Sequence, residues 1–281
     1  MNHINTLLTA WRYPVKSMQG EELNAAFITA DGLLGDRTFA LVDAETGQVA
    51  SAKNPRKWPD FFAYRARVIQ AGTEAPSLAS LLVTTAQGEE IRGDDPELNE
   101  RLSRALGRRV TLQTVAPSQP ILEQYWPERE GQDDAVTQEA VAAAAAHGTF
   151  FDYAPLHIIT TSSLARLRAL YPAGQIETRR FRPNLVVATD HEVVDFVENA
   201  WVGKTLRIGD DLELEVTDPC PRCVMPTLAQ GDLARDPGIL RAIAHNDVHV
   251  PFADRALPSF GVYARVSKPG RVVRGDTVHV R

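Results

Sequence analysis

The stretch Thr217-Asp218-Pro219-Cys220-Pro221-Arg222-Cys223-Val224-Met225-Pro226-Thr227 holds both cysteines of this 281-residue chain. Each proline fixes φ and removes an amide donor, so the stretch is not expected to form a regular helix. It is predicted to be a stiff loop that leaves the strand-like run Leu212–Val216. Because Arg222 lies between the thiols, it favours the thiolate form of a neighbouring cysteine. The stretch therefore predicts a thiolate held in a fixed position.

The pair Cys220-x-x-Cys223 has four interpretations. In the first interpretation the pair is ordinary loop material, although prolines and an arginine fill a core poorly. The other three give the cysteines a chemical role. It is a zinc site with His245 and His249, although the gap before His245 exceeds the ~12–15 residues of a usual finger. It is a dithiol redox pair, although Pro226 hinders the helix on which such pairs usually lie. It is a single thiolate bound to a soft or high-valent metal whose other ligands belong to a cofactor.

The fourth interpretation needs groups elsewhere that bind an anionic cofactor. The sequence offers Lys16-Ser17, Arg37, Thr160–Ser163 and the basic segment Arg180–Asn184. The hydroxyls lie where a strand meets the predicted helix Leu164–Tyr171, with Ser162 or Ser163 as its cap, and a helix N-terminus binds anions. Each signal alone is weak, because edge arginines are usually solvated and hydroxyls before a helix are usually caps. Together with the cysteines they favour an anion site.

Composition and charge exclude several classes of protein. The formal net charge of −6 and the pI of about 5.7 argue against a sequence-independent nucleic-acid binder. No apolar run approaches the ~20 residues that cross a bilayer, and the first residues lack the features of a signal peptide. We therefore expect a soluble, cytoplasmic protein with no membrane segment. Two cysteines do not form a disulfide framework.

Strand-like runs dominate the chain, which predicts a mainly β protein with several helices, of the α+β class. Predicted strands include Leu7–Arg12, Thr38–Asp43 with Gln48–Ala52 as its hairpin partner, and Arg271–Val280; predicted helices are Asp95–Leu106, Ala140–His147, Leu164–Tyr171 and Ile239–His245. His157, within an apolar strand, is predicted to be a core histidine. The segment Ala116–Gln138 is polar and has no clear period, so a domain boundary is placed there, dividing the chain into residues 1–115 and 116–281.

Several motifs in order resemble the MOSC family, the molybdenum cofactor sulfurase C-terminal-like proteins, preceded by the family's N-terminal β-barrel-like domain. The motifs are Tyr13-Pro14-Val15-Lys16-Ser17, Gly35-Asp36-Arg37, Pro155–Thr161, Arg180–Asn184, Cys220–Cys223 and Phe260–Val266 with Gly275-Asp276. The resemblance covers nearly the whole chain. It implies a MOSC β-barrel domain over residues 116–281 and a smaller N-terminal β-rich domain over residues 1–115.

The subgroup that the chain resembles includes the amidoxime-reducing components and their bacterial relatives, whose cofactor is molybdopterin-bound molybdenum. The resemblance implies that Cys223 is the protein ligand to the metal and that Arg222 lies beside it at the catalytic site. It implies that the pterin and its phosphate are held by Lys16, Ser17, Arg37, Thr161, Ser162, Arg182 and Asn184. The implied reaction is a two-electron oxygen-atom transfer that converts an N-hydroxylated small molecule to its amine. The resemblance also leaves pyridoxal phosphate binding open.

The chain departs from the best-known reductases after the second cysteine, where Val224-Met225-Pro226-Thr227 replaces a Thr-Thr-type continuation. The pocket beside the metal is therefore expected to differ. Two cysteines cannot build a four-cysteine iron–sulfur site, so electrons are expected from a separate ferredoxin-like or cytochrome b5-like partner with its reductase. The alternative function is a sulfur carrier or cofactor-binding protein in which Cys223 holds a persulfide and no reduction occurs.

Overall fold

The computed structural model describes residues 5–69, 75–126, 131–133, 135–141, 144–146 and 149–281. The strands are β1 (Asn5–Arg12), β2 (Glu21–Leu23), β3 (Ala25–Thr29), β4 (Gly32–Leu33), β5 (Ala40–Asp43), β6 (Arg65–Val68), β7 (Leu81–Thr84), β8 (Glu90–Arg92), β9 (Val110–Gln113), β10 (Ile121–Tyr125), β11 (Val136–Ala140), β12 (Leu156–Thr160), β13 (Leu185–Ala188), β14 (Thr205–Ile208), β15 (Leu212–Pro221), β16 (Asp247–Val250), β17 (Arg255–Lys268), β18 (Gly270–Val273) and β19 (Thr277–Val280). The α-helices are α1 (Leu98–Leu106), α2 (Thr161–Leu170), α3 (Thr178–Phe181) and α4 (Gly238–Ile243). Short 3-10 turns lie at Phe61–Ala63, Leu78–Ser80, Val197–Trp201, Met225–Thr227 and Pro251–Ala253. The mainly β prediction with several helices is confirmed.

Seven strands close into a barrel in the order β12-β13-β1-β19-β14-β15-β17, and the pairing of β17 with β12 completes the ring. β12 and β13 run parallel and are connected through α2 and α3, because a parallel pair needs a long crossover. The other neighbours in the ring are antiparallel. Closure removes the free sheet edges within the ring.

Alternation along the strands builds the barrel core. In β15, Leu212, Leu214 and Val216 are fully buried, whereas Glu213 and Glu215 between them are partly exposed. Successive side chains of a strand point to opposite faces, so these apolar residues line the interior. The same cluster takes in buried residues of β1, β12, β13 and β17.

The first strand ties the start of the chain to its end. In β1, Asn5 and Thr6 pair with Val278 and Thr277 of β19; the middle of the strand pairs with β13 and its end with β2. Small sheets formed by β3-β4-β18, β5-β9 and β6-β7-β8 lie outside the ring. The division of the chain near residue 116 stays a prediction.

A second apolar core lies in the N-terminal half and reaches the cysteine segment. It contains Phe39, Trp58 and Leu102, all buried, together with Val224 and Met225 from the end of the cysteine segment. Cys223 packs against this core. The cysteine segment therefore lies between the barrel, which supplies β15, and the N-terminal core.

The prediction that the loop begins after Val216 is wrong, because β15 continues as far as Pro221. The pairing of β15 with β17 shifts register between Val216 and Asp218 and again between Pro219 and Pro221. Such irregularities let a strand carry prolines, because a bulge leaves an amide position without a ladder bond. Cys220 therefore lies on a strand, and only the segment that follows Pro221 forms the loop.

The predicted cap of the second helix is also wrong. Thr160 is the N-cap, with extended backbone, and its side chain accepts a hydrogen bond from the Ser163 amide at 3.1 Å. Four consecutive hydroxyl residues, Thr160–Ser163, lie where the strand meets this helix, and the local sequence does not show which of them is the cap. The end of β12 decides, because Thr160 is the last residue held in the sheet.

Three other local predictions also differ from the structure. β5 pairs with β9, and the predicted partner strand Gln48–Ala52 contributes only a bridge from Val49 to Val42. The predicted last strand is divided into β18 and β19 by a turn. The predicted helix Ala140–His147 starts at the last residue of β11; residues 142, 143 and 147 lie outside the described part of the chain, and the described residues among the rest are not helical. The polar boundary segment contains β10, which pairs with β11 as a hairpin.

Candidate functional site

Cationic side chains from distant parts of the sequence meet at one end of the barrel. This cationic cluster consists of Lys16, Arg37, Lys53, Arg182 and Arg222; Arg37, Arg182 and Arg222 all act on Tyr13, and Arg37 and Lys53 act on Lys16. The Tyr13 ring joins part of it, because the guanidinium carbons of Arg37 and Arg182 lie 4.8 and 4.2 Å from the ring centroid. The charges of Arg182, Arg37 and Arg222 all act on the Tyr13 hydroxyl, although burial dominates and raises its pKa. Tyr13 therefore stays protonated within the cluster.

Three predicted site residues adopt left-handed backbone conformations. Ser17 has φ of 66°, Arg37 of 45° and Arg182 of 55°. Residues other than glycine rarely occupy this region, and those that do concentrate at functional sites, where the surrounding structure holds them. Arg182 ends the short helix α3 in this conformation.

Lys16 is buried and ion-paired. Its Nζ donates to the Phe150 carbonyl at 2.8 Å and to Asp152 Oδ1 at 2.5 Å. Burial lowers the pKa of Lys16 to about 8, although Asp152 opposes that shift. Lys53 Nζ approaches the same Asp152 oxygen at 3.5 Å. Burial disfavours the carboxylate, but Lys16 and Lys53 outweigh it and hold the pKa of Asp152 far below its usual range.

The side chains of Ser17 and Arg182 each form a hydrogen bond with a backbone group in the same region. Ser17 Oγ accepts a hydrogen bond from the Ala52 amide at 3.1 Å. Arg182 Nη1 donates to the Met18 carbonyl at 2.6 Å. Burial, reinforced by the charge of Arg37, lowers the pKa of Arg182 to about 10, so it remains charged at neutral pH.

Asn184 uses its whole side chain to brace the cluster. Its Oδ1 accepts from the His157 amide at 3.1 Å and from Arg37 Nη1 at 3.4 Å. Its Nδ2 donates to Asp36 Oδ2 at 2.9 Å and to the Trp11 carbonyl at 3.3 Å. These contacts occupy both donors and both lone pairs of the amide. Asn184 therefore links β1, β12 and the loop that carries Arg37.

Thr161 and Ser162 lie at the other end of β12, at the start of α2. At the rise of a strand, Thr161 is about 13 Å along the chain from His157. Thr161 Oγ1 contacts Thr189 Oγ1 at 3.2 Å, and Ser162 Oγ donates to the Val193 carbonyl at 2.5 Å. The structure therefore does not bring these two predicted residues into the cationic cluster.

Both cysteines are free thiols in different environments. Cys220 is buried and Cys223 is half-buried. Arg222 Nη1 donates to Cys220 Sγ at 3.0 Å, and its Nη2 donates to the Phe181 carbonyl at 2.9 Å. The Tyr263 hydroxyl is also hydrogen-bonded to Cys220. Cys223 lies within the electrostatic range of Arg222 and Lys53, whose ionised forms it favours.

Sequence reasoning missed Lys53, Asp152, Tyr13 and Tyr263 at this site. Lys53 lies in a basic loop with Arg56 and Lys57, and nothing in the loop distinguishes it.

The predicted core position of His157 is confirmed, because it is 6% exposed and its Nε2 lies 3.1 Å from the Phe260 carbonyl. Burial, with Arg222 as the next cause, lowers the pKa of His157 to about 3.

The zinc interpretation finds no support in the part of the chain that the structure describes. There, no group of three or more His, Cys, Asp or Glu side chains is placed to hold a metal ion. His245 and His249 are exposed. Nor does any described helix combine the length and the apolar character that crossing a bilayer requires.

Comparisons with known proteins give two matching family models, curated relatives and a solved structure. The MOSC domain matches residues 145–279, and the MOSC N-terminal beta barrel domain matches residues 4–97. Mitochondrial amidoxime-reducing component 1 of Mus musculus is 24% identical over 302 residues, covering 100% of this chain and 83% of that protein. Mitochondrial amidoxime reducing component 2 of Homo sapiens is 25% identical over 301 residues, covering 99% and 84%. The solved structure of the YUAD protein from Bacillus subtilis aligns with a TM-score of 0.41 at 12% identity, covering 99% of this chain and 97% of that chain. The chain therefore belongs to the MOSC family, with the family's N-terminal β-barrel domain preceding its MOSC domain.

Proposed function

We propose that this protein binds a molybdenum–molybdopterin cofactor at the cationic cluster and reduces N-hydroxylated compounds with it. One observation carries the proposal: a half-buried free cysteine, Cys223, lies beside Arg222 and Lys53, which belong to a cluster of buried and half-buried cations drawn from five separate segments of the chain. The names of the relatives supply the reaction class, since those proteins are amidoxime-reducing components.

The residues present fit an anionic, hydrogen-bonding cofactor. Among the described residues, the cationic cluster is ion-paired with two carboxylates, Asp36 and Asp152, and Glu139 also acts on Lys53, so the five cations outnumber the carboxylates around them. Two buried donors in it, Arg222 Nε and the Tyr13 hydroxyl, have no partner within the described part of the protein. Buried polar groups are rarely left unpaired, so both donors are available to an added acceptor.

Each residue has a defined task in this proposal. Lys16, Lys53 and Arg182 neutralise the cofactor phosphate, and Asp152 between the two lysines is the carboxylate that gives way to it. Cys223 provides the thiolate ligand. Arg222 is held beside it by its bonds to Cys220 and to the Phe181 carbonyl. Asn184 positions Arg37. The resemblance assigned Ser17, Thr161 and Ser162 to the cofactor; Ser17 keeps that proposed role, whereas the geometry favours a structural role for the other two.

When bound, the cofactor supplies a metal that takes the oxygen of an N–OH group, so that two electrons and two protons convert N–OH to N–H and water. Electrons are proposed to come from a separate ferredoxin-like or cytochrome b5-like protein with its reductase. The cytoplasmic location expected from the sequence stays a prediction, and the relatives are named as mitochondrial.

The deciding experiment is elemental analysis of protein purified from a host that makes the cofactor. We expect near-stoichiometric molybdenum in the wild type and in Cys220→Ala, and none in Cys223→Ala. The wild type should also reduce benzamidoxime with a chemical reductant, and Cys223→Ala should not. Molybdenum retained in Cys223→Ala would contradict the ligand assignment.

A sulfur carrier is the second candidate, because Cys223 beside Lys53 and Arg222 suits a persulfide anion as well as a metal thiolate. It predicts a sulfur on Cys223 that dithiothreitol releases, visible as a mass increase of the intact chain, and no molybdenum. That pair of results would replace the reductase proposal.

A further inference from the structure

Three aromatic rings lead from solvent to the cysteine segment. We name them the aromatic ladder: Phe252, Tyr153 and Tyr263. The ring centroids of Phe252 and Tyr153 lie 4.1 Å apart, and those of Tyr153 and Tyr263 lie 5.2 Å apart. At the inner end the Tyr263 hydroxyl bonds Cys220, which also accepts from Arg222. At the outer end Phe252 is 46% exposed. The inner end of the ladder therefore reaches Cys220 and, through it, Arg222 of the candidate site.

The two inner rings are fixed before any ligand arrives. Tyr153 is hydrogen-bonded to the buried carboxylate of Asp218, and burial followed by Asp218 raises its pKa, so it remains a donor. Its neighbour Asp152 is paired with Lys16. Tyr263 lies in β17 between β12 and β15, where it pairs with His157 and Asp218. A surface organised in advance binds without the entropy loss of ordering it.

Core packing does not account for the outer ring. Single exposed apolar side chains are ordinary, but Phe252 is stacked on a series of rings that ends at a candidate catalytic segment. Small-molecule sites are typically lined by aromatic side chains with a few polar groups that fix orientation. Flat conjugated groups stack on such rings in offset or tilted arrangements.

We propose that the aromatic ladder is the substrate-binding face of this protein and that it selects N-hydroxylated compounds whose N–OH group is conjugated to a flat aromatic ring. The ring of the substrate stacks along Phe252 and Tyr153, and its N–OH group extends toward Cys223. The ladder sets the preference for aromatic over aliphatic substrates, and the cationic cluster plays no part in that preference. This inference rests on the proposed reductase function.

The test compares two substrates in the molybdenum-loaded protein with a chemical reductant, so that no protein electron donor is needed. Benzamidoxime carries the ring, and acetamidoxime carries the same N–OH group without it. Phe252→Ala should raise KM for benzamidoxime roughly tenfold and leave KM for acetamidoxime unchanged. Phe252→Tyr should restore the wild-type values. Phe27→Ala, which removes another exposed phenylalanine at 40% exposure on β3, is the matched control and should change neither.

A second readout separates this inference from the proposed function. Calorimetric titration with benzamidine measures binding without turnover, and Phe252→Ala should weaken it by the same factor. Binding of benzamidine that depends on Phe252, with no reduction of either amidoxime by the wild type, would sustain the ladder and contradict the reductase proposal. Reduction by the wild type, with KM unchanged or altered equally for both substrates in Phe252→Ala, would overturn the ladder.

Discussion

The Nζ atom of Lys16 lies 2.5 Å from Oδ1 of Asp152, across 136 positions of the sequence. This ion pair joins the segment after β1 to the segment before β12, at the mouth of the barrel. Asp152 has 37% of its side chain exposed, whereas Lys16 has 4%. A soluble anion can therefore reach the carboxylate's position while the lysine remains buried.

Replacing Asp152 by Asn should strengthen anion binding and weaken the ligand-free fold. The cations lose their internal competitor, so phosphate should raise the melting temperature of Asp152→Asn more than that of the wild type at pH 7. Without phosphate the variant should lose about 1–2 kcal/mol of unfolding free energy, less than a fully buried pair because Asp152 is partly exposed. Asp232→Asn, which breaks the surface pair with Arg179, is the control and should show neither change. Equal phosphate effects in all three proteins would show that Asp152 does not occupy an anion position.

Replacing Asn184 by Ala should affect folding before it affects the cofactor. The change removes one of the two donors to the buried Asp36 Oδ2, which keeps Arg37, and it removes the acceptor of the buried His157 amide, so the unfolding free energy should fall by about 2 kcal/mol or more. Chemical denaturation of the metal-free protein measures this. Lys53→Met is the comparison: it should lower cofactor retention with a smaller loss of stability. A stable Asn184→Ala variant that only loses cofactor would instead indicate direct contact.

His157 should make the fold sensitive to acid. Its pKa falls from 6.5 to about 3 on folding, mainly through burial, so the unfolded chain binds more protons between those pH values. Its contribution to stability is therefore fully present above pH 6.5 and is lost as pH falls toward 3, with a slope of at most ~1.4 kcal/mol per pH unit. Urea unfolding from pH 7 to pH 4 should show a shallower decline in His157→Gln than in the wild type. Parallel curves would exclude His157 as the cause.

Gly261 should tolerate no side chain, because it packs directly on His157. A Cβ at this position would lie 2.4 Å from His157 Nε2 and 2.6 Å from the Ile158 carbonyl, and its φ is 80°. Gly261→Ala should cost about 3 kcal/mol or more of unfolding free energy. Gly275 has a similar φ of 94°, but a Cβ there would have no atom within 4 Å. Gly275→Ala should therefore cost about 1 kcal/mol of unfolding free energy, which measures the backbone strain without the steric clash. Equal losses would show that the neighbours of Gly261 move aside at little cost.

The fold class was readable from the sequence where one face of a strand is buried. The alternation of apolar and acidic residues along Leu212–Val216 predicts a strand, and the apolar run around His157 predicts its burial; both predictions are confirmed. The polar hairpin of β10 and β11 was not predicted, because β11 alternates only between exposed and half-buried residues and its sequence shows no clear alternation of apolar residues. The cap at Thr160 was not predicted, because each of the neighbouring hydroxyl residues is an equally suitable cap as far as the local sequence shows.

The sequence by itself determined which residues are candidates for the chemistry: a cysteine pair flanked by prolines, and basic residues such as Lys16, Arg37 and Arg182 in motifs of one family. Only the tertiary structure decided which of them meet. Closure of the barrel places β13 between β12 and β1, and β17 between β12 and β15, which joins Arg37 to Asn184 across 147 positions and leaves Thr161 beyond the opposite end of β12. The physical reason is that a side chain's charge is a local property, whereas its distance from another charge depends on the register of strands that are far apart in the chain.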